Sequence, residues 1–405
     1  MRKSLGLALL SILLLPGCAT VRDWFRSDAE RAAAPVALEP IPGARAVQRL
    51  WSDSLGEPEI GFGLRQRPAF DGSTVYAVTG DGALRAIDIE TGSTRWETAL
   101  SPIENRRGWR LWRNRVADGG LHSSVAVGEG LVVVVGRTGA VFAVEAADGR
   151  LRWESQASAE VLAAPLVVRG LVVLRSQDGR TTAFDAASGE RRWSHQRSIP
   201  SLSSRGASAP AAAVGLVLVG NEDGTVLALR AEDGAPVWEA PVAEPEGRTE
   251  LERIADIDGD LAVGANLLFA TSVRGITAAV ALASGQVVWS RENGGSTGLE
   301  LTPAGVLLAD KGGTLWALDR DNGNALWRQE ALLRRQPTAP VLAGGLAVVG
   351  DVEGYLHWFD PQTGVLHART RLHSSPIVAA PLVSPTGVVV ALSDEGRIAA
   401  FRVVE

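Results

Sequence analysis

Short apolar runs alternate with glycine-containing turns along most of the chain, and they recur as one unit. The first copy, Thr74 to Trp96, holds two strand-like runs around an Asp81-Gly82 turn, followed by a second turn and a tryptophan. The unit occurs seven times, and in every copy a glycine precedes the tryptophan position by four residues: Gly92, Gly149, Gly189, Gly234, Gly285, Gly323 and Gly364. The seventh copy has Ala368 at that position. Sequence repeats with a period of about 20 to 50 residues predict an array of similar structural units.

Each unit predicts a four-stranded antiparallel meander. In the first unit the strands are expected at Gln66 to Phe70, Thr74 to Thr79, Ala83 to Ile89 and Thr94 to Ala99. The second strands of the units are unbroken apolar runs, such as Leu131 to Val135. An unbroken run indicates burial on both faces, which is expected of a blade packed between two other blades.

The two ends of the chain supply an eighth unit. After the seventh unit three strand-like runs remain, Ile377 to Val383, Val388 to Leu392 and Arg397 to Val403, and no fourth follows. Near the other end, Ala46 to Trp51 carries a tryptophan but has no unit before it. Residues 45–405 are therefore predicted to form an all-β, eight-bladed β-propeller of four-stranded antiparallel blades, closed by the N-terminal strand completing the last blade. Closure removes the sheet edges that an open array would expose.

Residues 1–17 have the pattern of an export signal. Arg2 and Lys3 precede an apolar run from Ser4 to Leu15. This run is shorter than the roughly 20 residues that a transmembrane helix needs. The segment is therefore excluded from the fold.

The next residues predict lipid attachment. Leu15-Pro16-Gly17-Cys18 resembles the bacterial lipobox, with Pro16 as a departure, and Cys18 is the only cysteine of the chain. We expect Cys18 to carry the lipid and residues 18–44 to form a flexible tether. Ala19 follows the cysteine, where the lipoproteins it resembles carry Asp as an inner-membrane retention signal. The resemblance thus implies the outer membrane, on its periplasmic face.

Three segments between the units are longer than the repeat requires. Ser101 to His122 interleaves arginines with tryptophans, Ser198 to Ala209 joins the third and fourth units, and Glu244 to Asp260 joins the fourth and fifth. Such loops on a rigid scaffold commonly carry function. The arginine- and tryptophan-containing segment Ser101 to His122 could bind an acidic partner or lipid phosphate. The alternative is that it is a solvated surface loop. The formal net charge of −6 gives no general attraction to nucleic acid, and none is predicted as a partner.

The sequence predicts neither catalysis nor a metal site. Asp256, Asp258 and Asp260 alternate as in a calcium loop, but the glycine and the final glutamate of an EF-hand are missing. The five histidines show no ligand spacing, and the zinc-protease and phosphate-loop motifs are absent from the sequence. We therefore predict that the protein is not an enzyme and takes no cofactor.

The pattern from Ala86 to Trp96, A-x-D-x-x-T-G-x-x-x-W, resembles the tryptophan-docking repeat of pyrroloquinoline-quinone dehydrogenases. Those enzymes are eight-bladed propellers in which a large indole on the outer strand packs against the neighbouring blade. They also carry an adjacent cysteine pair and a calcium site with a catalytic aspartate. This chain has a single cysteine, so the resemblance implies the fold and not the activity.

A closer resemblance is to the BamB family, the lipoprotein propellers of the machinery that folds barrels into the outer membrane. It rests on the lipobox, the N-terminal tryptophan strand and the segments Pro200 to Gly206, Arg253 to Asp258 and Gly350 to Trp358. In that family two loops matching the first two segments contact a periplasmic POTRA module of BamA, the barrel subunit. By position, the resemblance implies these BamA-binding residues: Leu202, Ser204, Arg205, Asp256 and Asp258. Ser204 stands where the family more often has leucine.

The resemblance implies a non-catalytic scaffold lipoprotein of the outer-membrane β-barrel assembly (BAM) complex. Its partners would be BamA, other barrel-assembly subunits and nascent outer-membrane proteins, and it would assist the insertion of β-barrel proteins. Two other functions stay open: a degenerate quinoprotein dehydrogenase, and a periplasmic propeller that binds cell-wall sugars. The Arg/Trp segment is the only support for the last.

Overall fold

A computed structural model describes residues 33–56, 67–100, 125–136, 138–204 and 208–404. Its strands form eight four-stranded antiparallel sheets. Each sheet is one blade, and the first strands of successive blades lie side by side at the centre. The predicted eight-bladed propeller is therefore confirmed. Within the described residues, no helix is long and apolar enough to cross a membrane.

The first four blades follow one another along the chain. Blade 1 contains β2 (Ala69–Asp71), β3 (Thr74–Val78), β4 (Ala83–Asp88) and β5 (Thr94–Ala99). Blade 2 contains β6 (Ala126–Gly128), β7 (Leu131–Val135), β8 (Ala140–Glu145) and β9 (Leu151–Gln156). Blade 3 contains β10 (Leu166–Val168), β11 (Leu171–Arg175), β12 (Arg180–Asp185) and β13 (Arg191–Gln196). Blade 4 contains β14 (Ala211–Ala213), β15 (Leu216–Gly220), β16 (Thr225–Arg230) and β17 (Pro236–Pro241).

The remaining blades close the ring. Blade 5 contains β18 (Ala262–Val263), β19 (Leu267–Thr271), β20 (Thr277–Ala281) and β21 (Val287–Arg291). Blade 6 contains β22 (Leu299–Leu301), β23 (Val306–Ala309), β24 (Leu315–Leu318) and β25 (Ala325–Gln329). Blade 7 contains β26 (Val341–Ala343), β27 (Leu346–Gly350), β28 (Tyr355–Phe359) and β29 (Leu366–Arg371). Blade 8 contains β30 (Leu382–Val383), β31 (Val389–Leu392), β32 (Arg397–Val403) and, as its outer strand, β1 (Val47–Ser54).

Because the strands of a blade alternate in direction, the turns between second and third strands and the links between blades lie on the same face of the disc. We call this the insertion face. It carries the described residues of the links Ser198 to Ala209 and Glu244 to Asp260. The position of these links therefore follows from strand order alone.

The hydrophobic core lies between blades. All five residues of β7 are buried, as the unbroken apolar run predicts. Its side chains divide between two clusters, because Val132 and Val134 pack towards blade 1 whereas Leu131, Val133 and Val135 pack towards blade 3. Each blade thus contributes both faces of its inner strands to the core.

The repeated tryptophans join each blade to the next. Each indole N–H donates to a backbone carbonyl of the following blade at 2.7–3.0 Å: Trp51 to Ile89, Trp96 to Ala146, Trp153 to Ala186, Trp193 to Ala231, Trp238 to Leu282, Trp289 to Arg320 and Trp327 to Pro361. The ring covers the repeated glycine of that following blade, for example Trp193 over Gly234. The glycine and the tryptophan that lie four residues apart in one unit therefore contact different neighbours. The glycine packs under the indole of the preceding blade, and the tryptophan docks on the following blade.

We expect Gly234→Ala to destabilise the propeller much more than Gly215→Ala. Both glycines have positive φ, +71° and +80°, so both substitutions carry backbone strain of roughly 1–2 kcal/mol. Only at Gly234 would the new Cβ meet the docked indole, 2.5 Å from Cε3 of Trp193, whereas nothing lies within 4 Å at Gly215. Overpacking adds about 1–3 kcal/mol. Urea unfolding of both variants measures the difference, and equal losses would contradict the docking role.

Ala368 replaces the tryptophan at the one junction where docking is impossible. Docking needs the turn between the third and outer strands of the next blade, but in blade 8 these strands are the two ends of the propeller chain, paired from Val47 with Val403. Instead, the guanidinium of Arg49 on β1 reaches back and donates to the carbonyl of Arg371 at 2.7 Å. The small, buried Ala368 leaves room beside Trp358, its partner across the sheet.

The two largest boundary differences between prediction and structure concern the first strand of blade 8 and the N-terminal segment. The expected strand from Ile377 to Val383 shortens to Leu382–Val383, because the N–H of Ile377 donates to Asp351 of blade 7 and its side chain covers Gly350. The tether expected to run to residue 44 also ends earlier. Residues 34–45, which we call the N-terminal strap, are hydrogen-bonded to blades 6 and 7.

Candidate partner-binding site

The two links expected to bind a partner meet on the insertion face. The N–H and Oγ of Ser204 both donate to Oδ2 of Asp256, at 2.7 and 2.8 Å, and Oγ also lies 2.5 Å from Oδ2 of Asp258. Ser204 therefore joins the link after blade 3 to the link after blade 4. We call Ser198 to Ala209 and Glu244 to Asp260 the insertion pair.

The second link is held by the turns of blades 4 and 5. The N–H of Ile257 donates to the carbonyl of Asn221 at 3.0 Å, and the N–H of Val273 donates to the carbonyl of Asp256 at 3.0 Å. The side chain of Ile257 is buried against Gly220, where a Cβ would come within 2.7 Å of it. These contacts fix the two aspartates on a rigid support.

Asp256 is buried, with 1% of its surface exposed. The resemblance implies that Asp256 binds the partner, and in the structure its carboxylate lies beneath the surface, where it accepts hydrogen bonds from Ser204. Burial raises the pKa of Asp256 and the nearby Glu222 adds to the rise, while the hydrogen bonds from Ser204 oppose it. Asp258 is half-buried and lies nearer the surface.

A second contact within the insertion pair escaped the sequence analysis. Oγ of Ser201 lies 3.3 Å from Oε2 of Glu250. Glu250 belongs to a short turn in which Thr249 and Glu252 exchange hydrogen bonds, with the N–H of Thr249 donating to Glu252 and the N–H of Glu252 donating to Oγ1 of Thr249. Arg274 ties this turn to blade 5 by donating to the carbonyls of Glu246 and Glu252 at 2.9 and 2.5 Å. The T-x-x-E spacing of a capping box was the available sequence signal.

Apolar side chains remain exposed where the two links meet. Ile199, Leu202 and Leu251 are 44%, 42% and 72% exposed, respectively. Leu202 was expected from the sequence, whereas Ile199 and Leu251 were not. Exposed apolar side chains set among charged ones are common at sites that bind another protein.

The segment Gly350 to Trp358 forms a buried ionic network away from the insertion pair. Nε of Arg335 donates to Oδ2 of Asp351 at 2.7 Å, and Nε2 of His357 lies 2.8 Å from the same oxygen. Although burial opposes its ionisation, hydrogen bonds from His357, Tyr355 and Arg335 hold the pKa of Asp351 below its ordinary value. Burial lowers the pKa of His357, with the Asp351 carboxylate opposing that change. Asp351 and His357 of this segment therefore lie in the protein interior, where they contact each other and Arg335.

The three aspartates that alternate in sequence are engaged separately. Asp256 and Asp258 contact Ser204, while Asp260 pairs with Arg67 and accepts the N–H of Ala209. The described part of the chain contains no group of three or more side chains suited to hold a metal. Cys18, Arg205 and the segment Ser101 to His122 lie outside the described residues.

A closed ring of eight blades joined by docked tryptophans defines a propeller of the tryptophan-docking class. A family model described as "Outer membrane protein assembly factor BamB" matches residues 44–103, 100–329 and 311–404. The chain therefore belongs to the BamB family.

Individual relatives agree with this assignment. The outer membrane protein assembly factor BamB of Xanthomonas campestris pv. campestris is 40% identical over 408 residues, covering 100% of this chain and 98% of the relative. The crystal structure of BamB from Moraxella catarrhalis aligns with a TM-score of 0.76 at 23% identity, covering 88% of this chain and 100% of that one. The quinohemoprotein alcohol dehydrogenase of Comamonas testosteroni aligns with a TM-score of 0.67 at 15% identity, covering 89% and 78%. This last similarity concerns the fold alone.

Proposed function

We propose that this protein is a non-catalytic scaffold of outer-membrane β-barrel assembly. Its family and its 40% identical relative carry the name outer membrane protein assembly factor. The observation that carries the proposal is the junction of Ser204 with Asp256 and Asp258, which holds an exposed loop in one position on a rigid ring. A rigid display of this kind lowers the entropy lost on binding.

The partner is the POTRA region of BamA. Leu202, Ser204, Arg205 and Asp258 form the contact, and Asp256 holds Ser204 in place from below. An exposed leucine beside charges of both signs favours specificity and register over raw affinity. Ile199 and Leu251 extend the apolar part of the same surface.

The protein acts at the outer membrane. The lipid on Cys18 anchors it to the periplasmic face, and nascent outer-membrane proteins are further partners. The quinoprotein alternative is disfavoured, because the adjacent cysteine pair of those enzymes has no counterpart in a chain with a single cysteine. Family membership also disfavours a sugar-binding propeller.

We expect the double substitution Leu202→Ala and Arg205→Ala to reduce co-purification of BamA from detergent-solubilised outer membranes by about tenfold or more. Loss of one or two central contacts commonly removes most of the affinity of a small interface. Thermal unfolding should stay unchanged, because Leu202 is exposed. The matched control is Val237→Ala, which removes a 49% exposed apolar side chain from the outer strand of blade 4. Undiminished BamA in the double variant, or an equal loss in the control, would overturn the assigned surface.

A further inference from the structure

The loop between blades 6 and 7 binds the N-terminal strap through three hydrogen bonds. The N–H of Val36 donates to the carbonyl of Leu333 at 3.1 Å, and Nη1 of Arg335 donates to the carbonyl of Val36 at 2.8 Å. Nε of Arg334 donates to the carbonyl of Ala34 at 2.7 Å. Both backbone groups of Val36 are thus satisfied, much as they would be in a sheet.

This loop is held in an unusual conformation. Arg335 is only 1% exposed. Its Nε donates to Asp351 and its Nη2 donates to Glu353, so that Nη1 is directed at the strap. On either side of it, Arg334 and Gln336 have φ of +58° and +48°, where residues other than glycine are uncommon. Strained backbone persists where surrounding contacts enforce it, and it concentrates at functional sites. In this loop, the strained residue Arg334 and its neighbour Arg335 donate hydrogen bonds to the strap.

The strap then crosses the edge of blade 7. Nη2 of Arg369 donates to the carbonyl of Glu39 at 3.0 Å, and the N–H of Arg45 donates to the carbonyl of His367 at 2.9 Å. Because β29 runs towards the insertion face, these contacts take the strap from that face to the opposite one, where β1 begins. The strap covers the outer strand of blade 7, which would otherwise be an open sheet edge.

We propose that the loop Leu333 to Arg335 is a docking site for the strap, and that it sets where the membrane anchor leaves the propeller. This inference rests on the proposed lipid at Cys18. The anchored chain leaves on the insertion face between blades 6 and 7, three blades from the link that carries Leu202. The rim of blades 6 and 7 faces the membrane, and the insertion pair remains accessible to BamA.

Docking also shortens the connection to the bilayer. Ala34 lies sixteen positions after Cys18 in the chain, a separation that spans at most about 55 Å when fully extended. If the strap were undocked, the chain from Cys18 to Arg45 would reach substantially further, and pulling on the anchor would load β1, the strand that closes the ring. The docked strap takes that load first.

Energy transfer from a fluorophore on the propeller to acceptor lipids tests this geometry in liposomes containing the lipidated, full-length mature protein. The label is placed at Lys311→Cys, in the blade 6 turn whose Gly312 carbonyl accepts the N–H of Arg334, or at Gln177→Cys, in the corresponding turn of blade 3. Acylation of Cys18 leaves the introduced thiol as the only one available. We expect stronger transfer from position 311 than from position 177.

The strap is released by combining Val36→Pro, which removes the N–H donor, with Arg334→Ala. In this variant the difference between the two positions should be lost, and hydrogen exchange across residues 34–40 should accelerate at least tenfold while β1 stays protected. Arg328→Ala is the control, because it removes a 65% exposed side chain from β25, the outer strand of blade 6. It should change neither the transfer difference nor the hydrogen exchange.

Equal transfer from the two positions in the unaltered protein, or rapid exchange of its strap, would overturn the inference. BamA co-purification is measured on the same variants. If it persists while the transfer difference is missing, the docking inference fails and the proposed function stands. If the protein does not bind liposomes, the lipid at Cys18 fails as a premise and the inference with it.

Discussion

Replacing Asp351 by asparagine should lower the free energy of unfolding by about 3–5 kcal/mol, the usual cost of removing one partner from a buried ion pair. Asp351 and Arg335 are 0% and 1% exposed and are joined at 2.7 Å. The substitution leaves the guanidinium charge in the protein interior without its fully buried counter-charge. It also weakens the acceptor that faces Nε2 of His357.

Glu353→Gln provides the matched control, because Glu353 binds the same guanidinium through Nη2. Its side chain is 47% exposed, so water already screens the interaction and the expected loss is about 0–1 kcal/mol. Urea unfolding followed by tryptophan fluorescence measures both variants. Similar losses of unfolding free energy in the two variants would contradict the prediction. They would show that the buried Arg335–Asp351 pair is no stronger than the exposed Arg335–Glu353 pair.

The closed ring was predictable because the chain signals it at both ends. The three final strands and the tryptophan strand around Trp51 each lack the rest of a blade, and the repeat length joins them into one. The pairing of β1 with β32 confirms this prediction. Ala368 was visible as a departure, but its reason required the fold, since only the structure shows that each indole docks on the turn between the third and outer strands of the next blade, which blade 8 lacks.

The strap escaped prediction for a physical reason. Its prolines, Pro35, Pro40 and Pro42, suggest a tether with no periodic pattern. The contacts that hold it come from side chains about 300 residues away, Arg334 and Arg335. Local propensity contains no information about such a partner, so composition alone favoured a flexible chain.

The candidate site was predicted by resemblance, and the structure places one of its members beneath the surface. The resemblance implies that Asp256 and Asp258 both contact the partner. However, the backbone contacts of Ile257 and Val273 place Asp256 beneath the surface, while Asp258 remains half-buried. Exposure depends on these tertiary contacts, which a motif does not show.

Asp256→Ala should weaken BamA binding by about tenfold, or about 1.4 kcal/mol, although the carboxylate is 1% exposed. The substitution removes the acceptor for both the N–H and the Oγ of Ser204, so the loop that presents Leu202 loses its support. Binding of the full-length protein to the BamA POTRA region, measured by surface plasmon resonance, gives the change in affinity. Asp256→Asn keeps an acceptor oxygen in place and should retain most of the binding.

A double-mutant cycle separates positioning from direct contact. If Asp256 acts through Ser204, adding Ser204→Ala to Asp256→Ala should cost little more, because the two residues share one interaction. Adding Asp258→Ala should cause a larger further loss, since Asp258 is placed on the contact surface. Additive losses from Asp256→Ala and Ser204→Ala would contradict the positioning role and assign Asp256 an independent contact with the partner. The cycle thus asks whether binding depends on the shape of the insertion pair or on its charges alone.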